Sequence, residues 1–342
     1  MSLADLRIFI LTAVLALAGA GIAYLLGLPA PFLVGPASAV SIAGLSGMRL
    51  SIPTLVKNAC FVAVGLSMGT GLTPEVLVAA RTWPLSFLLV PVAIVILLYS
   101  GTWVLQRFFG YDRTTALLAA SPGHLSFVLS LAADTRSDLL AVGVIQSVRV
   151  LALTLTVPLI VDVLDLVGTA PPPAATMDAW ALASLFAAAV ALGWLFMRWR
   201  VPAALLMGGM IASSATHLSG LLEGNLPDWL MIPTYALLGA LIGSRFSGVS
   251  IRALQTAFLA GAVVTVVVVV LAAAIAAFVS HVADVPVDAA LIAFAPGGLE
   301  TMAAMAVMLN AQPTYVGAHH ILRLFLLSGL MPYALRRDLA KT

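Results

Sequence analysis

Long runs of apolar residues, separated by short polar stretches, set the pattern of this chain. Runs such as Leu85–Leu98 and Ala257–Val279 show no period-two alternation, so they read as helices rather than strands. A helix needs about 20 mainly apolar residues to cross the roughly 30 Å hydrocarbon core of a bilayer. Twelve segments approach that length. Six lie at about 8–27, 30–48, 53–71, 83–107, 113–133 and 139–163, and six more at about 178–198, 202–221, 229–245, 253–279, 287–309 and 315–335. The first, Ile8–Leu26, lacks a small-residue cleavage site followed by a polar start, and reads as a span rather than a signal peptide.

Two of the twelve cannot be continuous helices. Ser121-Pro122-Gly123-His124-Leu125-Ser126 and Ala295-Pro296-Gly297-Gly298-Leu299-Glu300 interrupt otherwise apolar segments. Proline removes a backbone donor and clashes with the preceding turn, and glycine adds freedom that a helix cannot use. Broken backbone at membrane depth is tolerated only where protein buries it or where it lines a polar cavity. Two such breaks in corresponding positions of two halves point to a transport site.

The breaks belong to a repeat. Pro122 and Pro296 are 174 positions apart, as are Gly143 and Gly317, Arg149 and Arg323, Pro158 and Pro332, Gly65 and Gly239, and Gly69 and Gly243. Pro29 and Pro202 are 173 apart. Loop charge then orients the two copies, because Lys and Arg favour the cytoplasmic side. Arg49 with Lys57, and Arg107 with Arg113, follow the second and fourth segments of the first half; Glu223 with Asp228, and Asp284 with Asp288, stand in their place in the second. Arg198 and Arg200 follow a segment whose counterpart is followed by no charge. Asp162 and Asp165 close the first half, whereas Arg336, Arg337 and Lys341 close the second. Copies of opposite orientation require an odd number of crossings each, so one segment in six does not cross, and the Pro-Gly segment is the natural one. The expected fold is therefore an all-α polytopic membrane protein of two inverted repeats. Each has about five transmembrane helices plus one re-entrant or broken Pro-Gly helix hairpin. The repeats are 1–166 and 177–342, with a stiff Pro-rich linker at 167–176 and both termini cytoplasmic. Twelve full crossings, the rival, would put the basic tail on the wrong side.

Composition agrees. The chain is 62% hydrophobic and 9% charged, against about a quarter charged in soluble domains, and its mean hydropathy is +1.12. The net charge of +2 is spread over loops, so no basic patch supports nucleic-acid binding. The single cysteine, Cys60, rules out an intramolecular disulfide and a CxxC site.

Few residues remain for chemistry. At a hairpin tip the second half-helix begins with free N–H groups and a positive dipole end, which suits an anion. Pro122, Gly123, Pro296, Gly297 and Gly298 form the tips, either for close approach of a solute or for tight helix packing. Arg149 and Arg323 fall mid-span, where arginine costs at least about 2.5 kcal/mol. They could clasp a substrate anion bidentately, pair with Glu300, or bond the exposed hairpin carbonyls. Glu300 could be a coupling carboxylate or one held by the helix dipole; its counterpart is Ser126. His320 and Gln146 correspond and precede the arginines by three residues, on one helical face. His124 sits at a tip. Either histidine could couple protons or be a satisfied core group. His319 and His320 are adjacent and point about 100° apart. No metal-ligand spacing or P-loop, Rossmann or hydrolase fingerprint is found, so no metal, cofactor or catalytic residue is expected.

At Leu28-Pro29-Ala30-Pro31-Phe32-Leu33-Val34-Gly35-Pro36, Ala293–Met302 and Gly317-Ala318-His319-His320-Ile321-Leu322-Arg323 the chain resembles the AbrB family of bacterial integral membrane proteins. The likeness covers essentially the whole sequence, and the second motif is its most specific part; His124 departs from the Pro-Gly-Gly pattern. Members often carry the labels of an AbrB-type transcriptional regulator or an ammonia monooxygenase. The soluble DNA-binding regulator of that name is a small charged β protein with no match here, and a monooxygenase would need a copper or iron site. The arrangement is also similar to elevator-type carriers, at the level of architecture alone.

The expected function is secondary transport of a small solute, an organic anion, by elevator-type alternating access with the site at the two tips, in a bacterial inner membrane. A coupling proton or sodium ion, a homodimer and the lipid bilayer are the expected partners. Two alternatives stand beside it: a membrane sensor or regulator that binds without transport, and a membrane oxidoreductase.

Overall fold

The computed structural model describes residues 3–72, 78, 80–122, 125–135, 137–166, 175–250 and 255–339. Gly123, His124, the linker residues 167–174 and Lys341 lie outside them, as do the side chains of Ser126, Arg336 and Arg337. Among the described residues there are fourteen α-helices and no strand; one isolated bridge joins Thr176 to Asn225.

The first seven helices are α1 (Leu3–Leu25), α2 (Pro31–Leu45), α3 (Thr54–Thr70), α4 (Trp83–Phe109), α5 (Arg113–Ala120), α6 (Leu125–Ala133) and α7 (Leu139–Val163). The second seven are α8 (Ala179–Arg198), α9 (Ala204–Leu218), α10 (Asp228–Ser244), α11 (Gln255–Ala283), α12 (Val287–Phe294), α13 (Leu299–Met308) and α14 (Pro313–Leu339). Five of them, α1, α4, α7, α8 and α11, are long and apolar enough to cross a bilayer. Helices α2, α3 and α9 are shorter than their apolar segments suggest, at 15, 17 and 15 residues, whereas α10 matches its segment at 17. The cause is local in α2 and α9. Both start behind an alanine in left-handed conformation, Ala30 (φ 50°) and Ala203 (φ 52°), just after Pro29 and Pro202.

Both Pro-Gly segments are broken, and the physical reason is the same. The residue before a proline is pushed from the helical to the extended region. Ser121 (φ −59°, ψ 124°) ends α5, and Ala295 (φ −56°, ψ 133°) ends α12. The resulting pieces have 8 and 9 residues in the first half and 8 and 10 in the second. At 1.5 Å per residue each is about half the thickness of a bilayer core. In the first half the chain turns back: the Asp138 amide before α7 donates to the Thr115 hydroxyl in the first turn of α5, at 3.1 Å. Asp112 and Asp138 cap α5 and α7 with side-chain bonds of 2.9 Å each.

The helices pack in two groups. Helices α1, α2, α3, α8, α9 and α10 form one; α4 to α7 and α11 to α14 form the other. Contacts recur with the halves exchanged: α3 lies on α9 as α2 lies on α10, and α7 meets α11 as α4 meets α14. The exchanged crossings depend on glycine. A Cβ on Gly65 would collide with the Leu206 carbonyl, and one on Gly239 with the Leu33 carbonyl. One turn on, Gly69 and Gly243 face Ser213 and Ser41 at 2.5 and 2.7 Å from such a Cβ. Small residues four apart let helix backbones touch, which drives association in lipid.

Candidate functional site

The last helix of each group-two bundle half carries one buried arginine, and each arginine holds a broken helix end. Ending α5 at Ala120 and α12 at Phe294 leaves carbonyls without intrahelical partners. Arg149 on α7 donates through Nη1 to Ala120 O (3.1 Å) and through Nη2 to Ser121 O (2.9 Å). Arg323 on α14 does the same to Ala295 O and Gly297 O, both at 2.6 Å. A cation at a helix C-terminus also opposes the negative dipole end. Of the roles open to these arginines from sequence, bonding the hairpin carbonyls is the one seen for both.

Their neighbours one turn earlier brace the same ends. Gln146 Nε2 donates to Leu118 O at 2.8 Å, and His320 Nε2 donates to Ile292 O at 2.9 Å, each residue 174 positions later. Arg323 Nη2 also reaches His320 Nδ1 at 2.6 Å. Because a carbonyl only accepts and a guanidinium only donates, His320 carries its proton on Nε2. Both ring nitrogens are committed. Arg149 and Arg323 are 2% and 5% exposed, yet the Nε–H of each has no partner among the described residues.

A cavity of about 170 Å³ lies where the two helix groups meet. That volume admits several water molecules or a small solute. From the hairpins come Pro122, Leu125, Gly297, Gly298, Leu299 and Glu300, and from the arginine helices Gln146, Val150, Arg323 and Leu324. Opposite stand Lys57 and Phe61 of α3, Leu241 of α10 and Arg245 at its end. Both half-helix starts, at Leu125 and Leu299, thus face one space. Three cationic side chains and one carboxylate share it, and Arg245 and Glu300 interact electrostatically. The Lys57 ammonium stands 6.0 Å over the Phe61 ring, within cation–π range.

Of the residues singled out from sequence, Pro122, Gly297, Gly298, Glu300, Gln146 and Arg323 line this cavity. Arg149 and His320 stand behind it, on the carbonyls. Pro296 lines a separate apolar crevice with Leu153, Val269 and Ala272. Gly123, His124 and the Ser126 side chain are not described. Lys57 and Arg245 escaped the sequence reading because each sits at a helix end, where a basic residue passes for a topology signal. A lysine and an arginine that both flank apolar segments on the side marked cytoplasmic were the available cue.

His319 belongs to a different structure. Its ring stacks on Phe87 with centroids 4.3 Å apart and leans on Tyr315 at 4.0 Å. Nδ1 donates to Tyr315 O at 2.8 Å, and Nε2 lies 2.6 Å from Ser86 Oγ, which is 2.5 Å from Tyr315 Oη. This buried chain ties α4 to α14. Ser86→Ala strips two buried polar groups of that partner, so it is expected to lower stability by about 1–3 kcal/mol, read as a lower Tm of the detergent-solubilised protein. An unchanged Tm would show that the cluster bears no load. Among the described residues no group of three or more His, Cys, Asp or Glu side chains could hold a metal ion.

A family model described as "Transition state regulatory protein AbrB" matches residues 32–337. A protein of Escherichia coli (strain K12) named "Putative regulator AbrB" is 28% identical over 318 residues, covering 88% of each chain. "Uncharacterized protein YhjN" of Bacillus subtilis (strain 168) is 26% identical over 290 residues, 79% of this chain and 75% of that protein. No solved structure matches the chain.

Proposed function

The chain belongs to the AbrB family, and from that premise we propose that it is a secondary transporter of a small organic anion. The observation that carries the reading is the cavity itself. It gathers Lys57, Arg245 and Arg323 with two half-helix N-termini in an apolar helical protein. Charged side chains gathered between the helices of a membrane-like protein are costly and mark solute paths. Broken helices that aim their positive ends at one space suit an anionic solute.

The mechanism we propose is an elevator. The halves 1–166 and 177–342 are inverted repeats in this reading, supported by the matched helix lengths, the exchanged crossings and the matched arginine bonds. Helices α4 to α7 and α11 to α14 form the moving part and carry the tips; the other six form a scaffold. The solute sits at their boundary, touched by Arg323, Gly297 and Gly298 on one side and by Lys57 and Arg245 on the other. Gly123, His124 and Ser126 are assigned to the first tip by sequence alone, Glu300 is the coupling group for a proton or sodium ion, and Arg149 and His320 hold the broken helix ends in shape. In this reading the loop charges favour the cytoplasmic side for Lys57 and Arg245, and the cavity is an inward-facing one. An inner-membrane location, cytoplasmic termini and pairing of two copies through the scaffold belong to the same proposal.

Proteoliposomes carry the test. Reconstituted protein, preloaded with one of a panel of small carboxylates, should exchange it for the labelled external compound. Absence of exchange for every anion that binds would reject transport. The names of the family and of the E. coli relative favour a second reading, a membrane sensor or regulator using the same cavity, and binding without flux is its expected result.

A further inference from the structure

We infer that the cavity selects a dianion over a monoanion of the same size; this rests on the anion-binding reading above and narrows it to a charge class. Among the described residues lining the cavity, the ionisable groups are Lys57, Arg245, Arg323 and Glu300. With the carboxylate ionised, three positive groups face one negative, and two positive charges stay unbalanced. Arg323 gives its Nη atoms to carbonyls and His320, which are neutral acceptors and bring no formal negative charge to it. Its buried Nε–H lacks an acceptor among the described residues. Arg245 and Glu300 attract each other, and we take Lys57 and Arg323 as the pair that faces the solute from the two helix groups.

A ligand with two negative charges would neutralise the space; one with a single charge would leave a cation desolvated and unmatched. In a low-dielectric site that difference is large, because the interaction of two charges a few ångströms apart scales inversely with the effective dielectric. The positions of the cations also favour a ligand with its charges at two ends. Lys57 comes from α3 and Arg323 from α14, on the two helix groups, so a dicarboxylate with one charge at each end could bridge the groups.

The test uses matched probes on the purified full chain at a pH where all carboxylates are ionised. Affinities of succinate and butyrate, which share a four-carbon skeleton, are measured by calorimetry, as are those of sulfate and nitrate. Succinate should bind at least about tenfold tighter than butyrate, one unit of pK in affinity or about 1.4 kcal/mol. Tight binding of sulfate with weak binding of succinate would keep the charge class and reject the two-ended form. Lys57→Gln should reduce the succinate-to-butyrate ratio towards one, while Glu300→Gln should raise it. Lys57 and Glu300 are both only half-buried, and either variant suffices for the test if the other fails to fold. Equal affinity of the two members of both pairs, or a ratio that Lys57→Gln leaves unmoved, overturns the inference, and so does failure of all four probes to bind. The outcomes separate from those of the transport reading. Dianion preference without vesicle flux sinks transport alone, and equal flux of succinate and butyrate sinks the charge selection alone.

Discussion

Replacing Arg323 by alanine is expected to damage both stability and anion binding, whereas replacing Arg149 should damage stability alone. Arg323→Ala leaves Ala295 O, Gly297 O and His320 Nδ1 without their donor inside the protein. Hydrogen bonds to a charged group contribute roughly 1.5–3 kcal/mol each, and orphaned acceptors add a desolvation cost. A loss on the order of 3 kcal/mol or more follows, because the three bonds share one side chain and do not add fully. The same change removes one of three cations from the cavity, so anion affinity should fall at least about tenfold. Arg149→Ala orphans Ala120 O and Ser121 O but takes nothing from the cavity lining. Its Tm should drop comparably while affinity stays within about threefold, a difference under 1 kcal/mol. Arg323→Lys keeps the charge but not the planar fork that spans two carbonyls; affinity should recover more than stability. Thermal unfolding and calorimetry on the three variants decide the matter. Should Arg323→Ala bind anions as the parent does, the cavity is not the site.

The second large effect is expected at the helix crossings. Gly65→Ala and Gly239→Ala each place a methyl group against a carbonyl oxygen of the facing helix, Leu206 or Leu33. A backbone carbonyl cannot swing aside as a side-chain tip can. The helices must separate, and overpacking of this kind costs typically 1–3 kcal/mol, occasionally more. Loss of folded protein from the membrane fraction is the expected result at both positions, with similar severity because the crossings correspond. Gly143→Ala is the control. Its nearest neighbour to an added Cβ is Leu129 Cδ2 at 3.9 Å, so the change should stabilise α7 by about 0.5–1 kcal/mol through the entropy that glycine loses in a helix. Equal Tm for Gly65→Ala and Gly143→Ala would refute the close-packing account.

Much of this could be read from residues in order. Pro122 and Pro296 announced where α5 and α12 stop, since a proline acts on its immediate predecessor and that effect is local. The 174-residue spacing of Gly65 with Gly239 and of Arg149 with Arg323 announced that whatever these residues do, they do twice. Helix existence was equally legible, because apolar length reports directly on bilayer or core burial. The ends of α2 and α9 were less so. Ala30 and Ala203 adopt a left-handed conformation that nothing in an alanine's chemistry favours, so their neighbours impose it.

The site was legible only in part. Gln146, Glu300 and Arg323 stood out because polar groups are rare in such a chain. Lys57 and Arg245 did not, because at a helix end a cation is ordinary. Separation in sequence hides their convergence: Lys57 and Arg245 belong to different halves, and only the packing of α3 and α10 against the hairpins brings them to Arg323. The choice among the arginine roles was likewise out of reach, since a mid-span arginine needs a polar partner but its sequence does not say which. The sequence by itself determined an all-helical, membrane-like chain with two broken segments and two arginines that had to be satisfied inside. Tertiary structure alone decided that those arginines hold the broken ends, and that the space left between the helix groups is cationic. Local backbone chemistry acts over a few residues and can be read along the chain, whereas a cavity is the remainder of how distant helices fit, and no single stretch contains it.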